Sequence, residues 1–173
     1  MNPEEAAALD VDASSFVLRC EELDPLEEAV DGLPLETTRL STGLGQVDLL
    51  GVQFQDMSMV VGSFEFAVLT RGECLPGFHT LTLPLTPSDG SWNGVALDQG
   101  ALWSYAPGTE HEGKAANPPS WAAISVPSQH WPELSAESVQ VRRSERVIAL
   151  ADVISAAACL SLIHISEPTR LKT

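Results

Sequence analysis

A chain of 173 residues with 44% hydrophobic content can build one domain around a buried core, and no run reaches the ~18 uninterrupted apolar residues of a membrane helix. The net charge is −15, and ten of the 24 acidic residues fall in the first 31 positions, opposed there only by Arg19. Such a surface repels phosphate, so the chain by itself is expected to bind neither nucleic acid nor membrane.

The start, MNPEEAAALDVDASS, is acidic where a secretory leader is basic and then apolar, and it reads as a disordered arm over 1–15. Cys20, Cys74 and Cys159 show no metal-type pairing such as C-x-x-C, and they read as reduced thiols of a cytoplasmic protein. FVLRC (16–20) is a strand. DPLEEAVDG (24–32) is a short helix, with Asp24 as cap, Pro25 in the first turn and Gly32 at the end. From 35 to about 126 the chain runs through ETTRLSTG, QVDLLGVQFQ, MSMVVGSF, EFAVLTRG, FHTLTLPLT, GALWSYAP and WAAISVP. These short runs, rich in Val, Leu, Thr and aromatics and separated by turn residues, predict a sandwich or barrel. HTLTLPL alternates cleanly, as a strand with one buried face does.

SQHWPEL (128–134) reads as a short helical or irregular crossing, after which the period becomes helical. In SERVIALADVISAAA (144–158), Val147, Leu150, Ala151, Ile154 and Ala158 share one face. Glu145, Arg146, Asp152 and Ser155 share the other, and Ser144 is placed to cap. The fold class that follows is mainly β, a barrel with short helices and a C-terminal amphipathic helix.

Few residues form a pattern that carries chemistry. A metal centre needs three or four converging ligands. His79, Glu110, His111 and Glu112 have the right chemistry, but no spacing selects them. The chain contains no G-x-S-x-G, no Gly-rich phosphate loop and no isolated carboxylate pair. Cys74, in RGECLPG, sits in a turn and not at a helix start that would activate a thiol. Neither a catalytic residue nor a metal or other cofactor is expected, and the chain is not expected to be an enzyme.

The last residues read differently. LSLIHISEPTR (160–170) resembles the in-frame translation of a transposon-end sequencing adaptor over eleven consecutive residues. That likeness implies that native sequence stops at about Cys159, that 160–173 is a non-native tail, and that His164 has no functional meaning.

Three stretches, taken in order, resemble the N-terminal cupin-like domain of AraC-family transcriptional regulators. They are SSFVLRCEELDPLEEAV, then GLGQVDLLGVQFQDMSMVVGSFEFAVLTRGECLPGFHTLTLPL, then WNGVALDQGALWSYAPGTEHEG. Residues 100–117 approximate the second cupin motif through Gly100, Pro107, Gly108, His111 and Asn117, but Asn117 lies too far along. The H-x-H of the first motif is missing, with only His79 in that region. The resemblance implies a cupin-like barrel over 16–134 that senses an effector or holds a dimer, and a linker helix region over 135–159. It also implies a helix-turn-helix DNA-binding half that this chain does not carry. A small barrel can enclose one ligand in a mostly apolar pocket. His79, Phe78, Trp92, Trp103, Tyr105 and His111 are the candidate wall residues, and the aromatics among them read equally as core packing. The helix either packs against its twin in a homodimer, through Val147, Leu150, Ala151, Ile154 and Ala158, or covers the barrel's own edge. The competing expectation is a stand-alone cupin-like binding protein or metal-dependent enzyme.

Overall fold

The computed structural model describes residues 13–21, 23, 35–131 and 139–166, with side chains up to 159. The expected acidic arm, the helix at 24–32 and the second half of the 128–134 crossing lie wholly or largely outside the described residues. Strands β1 (Ala13–Cys20), β3 (Val47–Phe54), β4 (Met57–Phe64), β6 (Phe78–Pro84), β9 (Ala101–Tyr105), β11 (Ser120–Pro127) and β12 (Val139–Arg143) form one sheet. Its order is β1-β3-β4-β11-β6-β9-β12. The second sheet has five strands, β2 (Leu35–Arg39), β5 (Val68–Glu73), β10 (Glu110–Ala115), β7 (Gly90–Trp92) and β8 (Val95–Ala96), in the order β2-β5-β10-β7-β8. All pairings are antiparallel, and among the described residues no strand is shared between the sheets. The fold is mainly β, as expected, in two open sheets.

Alternation along the strands divides the side chains into layers. Val47, Leu49, Val60 and Phe64 of the larger sheet meet Val68 and Ala115 of the smaller one, which places a core between the sheets. The opposite face of the larger sheet carries Leu50, Val61, Leu83, Leu85 and Ala122 against a helix. That helix, α1 (Glu145–Ser166), makes a third layer. Burial of its Val147, Ala151, Ile154 and Ala158 stabilises it in place, and the Ser144 hydroxyl accepts from the Val147 N–H at 3.4 Å, near its expected capping role. Gly100, with φ of 82°, accepts the Ser144 N–H through its carbonyl, and any Cβ there would strike Ile148.

Two expectations are corrected. Leu150 does not share the buried face: it is 41% exposed, because at 100° per residue it falls on the shoulder of a stripe centred between Val147 and Ala151. The strand around HTLTLPL is buried on both faces, since the helix covers the leucine side while Thr80 and Thr82 point between the sheets. Helix α1 continues through 159–166, beyond the helical stretch expected over 144–158, and no Gly or Pro interrupts 144–166. His164 lies there, where only the backbone is described. No helix among the described residues is long and apolar enough to cross a membrane.

Candidate functional site

The site grows from β9 and its neighbours. Ala101, Trp103 and Tyr105 occupy alternate positions and so face the smaller sheet, while Leu102 packs toward the helix. Tyr105 and Trp103 lie opposite Thr80 and Thr82 of β6, which puts all four side chains in the space between the sheets. From the other side, β10 supplies His111 and Gly113, and β7 supplies Trp92, opposite Gly113. Gly113 is needed there: a Cβ would fall 2.4 Å from the Trp92 ring. With that space free, Trp92 stacks on His111, centroids 5.5 Å apart and planes 28° apart, and Tyr105 tilts against the same imidazole at 5.7 Å.

This interior is short of hydrogen-bond partners. The indole nitrogens of Trp92 and Trp103, the Tyr105 hydroxyl, His111 Nδ1 and the Thr80 hydroxyl are all buried with none. Trp103 and Tyr105 are each 1% exposed, so bulk water does not serve them. The Trp92 N–H faces the Tyr105 hydroxyl closely enough to oppose the rise in the phenol's pKa, but falls short of hydrogen-bond geometry. Burial nevertheless drives the Tyr105 pKa up, pushes the Cys74 thiol up against a weaker opposing pull from Thr80, and pushes His111 down to about 4. All three are therefore held neutral near pH 7.

Two hollows lie near this cluster. Inside, a cavity of about 30 Å³ is lined by Trp92, Trp103, Thr70, Thr82, Leu97 and Trp121, among others. Outside, an open groove of about 810 Å³ runs over the smaller sheet, lined by Glu36, Glu73, Glu110 and Glu112 with Arg71, Asn93 and His111. Arg71 Nε donates to Glu112 at 2.6 Å, so one carboxylate is paired and the groove stays acidic. His111 is among the residues bordering the groove, and its stacking partner Trp92 is among those bordering the cavity.

No family model, curated protein or solved structure matches this chain. Its own geometry therefore carries the argument.

Of the residues selected from sequence, the structure brings together Trp92, Trp103, Tyr105 and His111. His79 is not among them: paired with Val126 on the helix side of β6, it is buried on the opposite face of the sheet. Phe78 opens β6, half-buried and two residues before Thr80. Glu110, His111 and Glu112 cannot converge, since alternation sends the carboxylates outward and the imidazole inward. No group of three or more metal-ligating side chains converges among the described residues. Asn117 serves a turn, its Oδ1 accepting from the Ser88 hydroxyl at 2.8 Å and the Asp89 N–H at 2.7 Å. Sequence reasoning missed Thr80, Thr82 and the inward-facing Cys74. The polar face of T-L-T was the available signal, but it reads as solvent-facing until a helix is known to cover the other side.

Proposed function

We propose that the chain is the effector-sensing or dimerisation half, or both, of a transcriptional regulator of the AraC family, a small-molecule binding domain without catalytic chemistry. The observation that carries the reading is the cluster of buried, unpartnered polar side chains between the sheets. Polar atoms with no partner in the fold are costly unless something else supplies one, and a ligand that does so gains affinity and specificity together. On this reading the two sheets are a cupin-like barrel in open form. Helix α1 is the linker and dimer element, offering the exposed Leu150 and Val153 to a second copy. On this reading DNA binding belongs to another part of the regulator, since a surface of net charge −15 is unsuited to phosphate, and the regulator acts in the cytoplasm.

Genomic DNA read past codon 159 tests this directly. A helix-turn-helix region is expected within the continuing frame, and an immediate stop codon would sink the regulator reading. In solution, sedimentation should detect a dimer that Leu150→Glu weakens, whereas a strict monomer at high concentration would remove the dimerisation role.

A further inference from the structure

Helix α1 sits unevenly on the larger sheet. Val147, Ala151 and Ile154 are buried in the core between helix and sheet. Past Ile154 the helix brings only short side chains to that side, Ser155, Ala158 and Cys159. The sheet is short there too. Ser63 of β4 and Ser120 of β11 lie opposite each other in register, two residues along from Val61 and Ala122 on the helix-facing side. Short side chains on both walls leave a hollow of about 220 Å³, whose border includes Leu50, Val61 and Leu85. It lies across the larger sheet from the cluster of Trp103 and Tyr105.

Protein interiors hold few voids larger than a water molecule. An apolar cavity of about 150 Å³ is already large enough to stay dry and accept benzene. The hollow under α1 exceeds that, and most of the surface it presents is carbon. Among the described residues, no buried side-chain nitrogen or oxygen of its lining lacks a hydrogen-bond partner, so it makes no polar demand of an occupant. The hydroxyls of Ser63, Thr86, Ser120 and Ser155 can still serve one polar substituent, which leaves size, an apolar frame and charge as the selective features. Charge is disfavoured. Asp48 is the ionised side chain among the described lining residues, and it already accepts from Arg19 Nε at 2.7 Å and from Gln46 Nε2 at 3.0 Å. Neither a cation nor an anion therefore finds a free counter-charge there.

We propose that the hollow between α1 and the larger sheet is a second binding site, for a small uncharged molecule with an apolar ring or short hydrocarbon frame. It goes beyond the reading above and does not depend on it, since the two sites lie on opposite faces of the sheet. The frame packs on Leu50, Val61, Leu85 and Ala158, in space that the short side chains leave empty. A molecule held there touches helix and sheet together, so its binding favours the seated helix over a lifted one.

The test adds toluene, benzylamine and benzoate in turn to the full chain carrying ¹³C-labelled methyl groups and ¹⁵N-labelled indoles. Toluene is expected to shift the methyl signals of Leu50, Val61 and Leu85 saturably and to leave the Trp92 and Trp103 indole signals in place. Benzylamine and benzoate, of similar frame but charged, should bind at least about tenfold more weakly. Ser155→Leu and Ala158→Val, which place carbon in the hollow, should each weaken toluene binding by at least about tenfold, because the space is taken. Val153→Leu, on the exposed side of the helix, should leave it unchanged. If toluene moves none of the three methyl signals, or moves the indoles instead, the site is overturned, and the parent spectrum shows this whether or not the filled variants fold. Undiminished binding by a folded filled variant would overturn it too. If either charged probe binds as tightly as toluene, the apolar class is wrong. The genomic and sedimentation tests judge the regulator reading separately.

Discussion

The His111 imidazole lies over the Trp92 indole at 5.5 Å between centroids, with the imidazole bordering an acidic groove and the indole bordering a small cavity between two β-sheets. It is the point where the surface of the protein meets its least satisfied interior. Most of what can be measured on this molecule passes through it or through the helix on the far side of the larger sheet.

Acid should destabilise the fold partly through His111. Burial holds its pKa at about 4 against 6.5 for the free side chain, so between those values the unfolded chain binds a proton that the folded chain does not. Its contribution to stability is intact above about 6.5 and falls as pH drops through that window, at up to about 1.4 kcal/mol per pH unit. Urea unfolding of the parent and His111→Phe at pH 7 and pH 5 checks this. The parent is expected to lose more stability between the two, and equal losses would show that His111 is not held neutral.

Gly113→Ala should be costly out of proportion to one methyl group. The added carbon would sit 2.4 Å from the Trp92 ring, which cannot retreat without leaving His111. Overpacking of this kind typically costs about 1–3 kcal/mol. Thermal unfolding should show the loss, and tryptophan fluorescence should show a changed Trp92 environment. An unchanged spectrum would contradict the stack.

Two neighbouring helix positions should behave in opposite ways. Ile154 is 7% exposed against the sheet, and Ile154→Ala is expected to cost about 2–4 kcal/mol in unfolding free energy. Leu150 is 41% exposed, and Leu150→Ala should change monomer stability by less than about 0.5–1 kcal/mol. Equal costs in denaturant titrations would mean that the helix is rotated from the orientation described here.

The three thiols should label in sequence. Cys159 is exposed, Cys20 is intermediate and Cys74 is buried with its pKa raised by desolvation. A thiol reagent followed by mass spectrometry at pH 8 should modify Cys159 first and Cys74 only on unfolding. Early reaction at Cys74 would mean that the inter-sheet layer is open.

Much of the β architecture was legible in the chain. VDLLGVQF and MSMVVGSF pair as a hairpin, and the runs around 68–73, 78–84, 101–105 and 120–127 all became strands. β10 was not legible. In EHEGKA the outer positions are Glu110, Glu112 and Lys114, and the inner ones are His111, Gly113 and Ala115, so charge alternates with small or polar residues and no hydrophobic period appears. β7, β8 and β12 are at most five residues long, too short to carry a pattern of their own. Of the site, Trp92, Trp103, Tyr105 and His111 were named from sequence. Nothing in the chain showed that His79 would fall on the other face of its sheet.

The sequence by itself determined the class of the fold, through short alternating runs and their turns, and the period of the closing helix, because both depend on neighbours a few residues apart. The tertiary structure decided which face of each strand counts as interior. Alternation separates two faces but does not say what covers them. Helix α1 buries the leucine side of β6, and its threonine side, with Trp103, Tyr105, Trp92 and His111, becomes an interior layer whose buried polar side chains lack hydrogen-bond partners among the described residues.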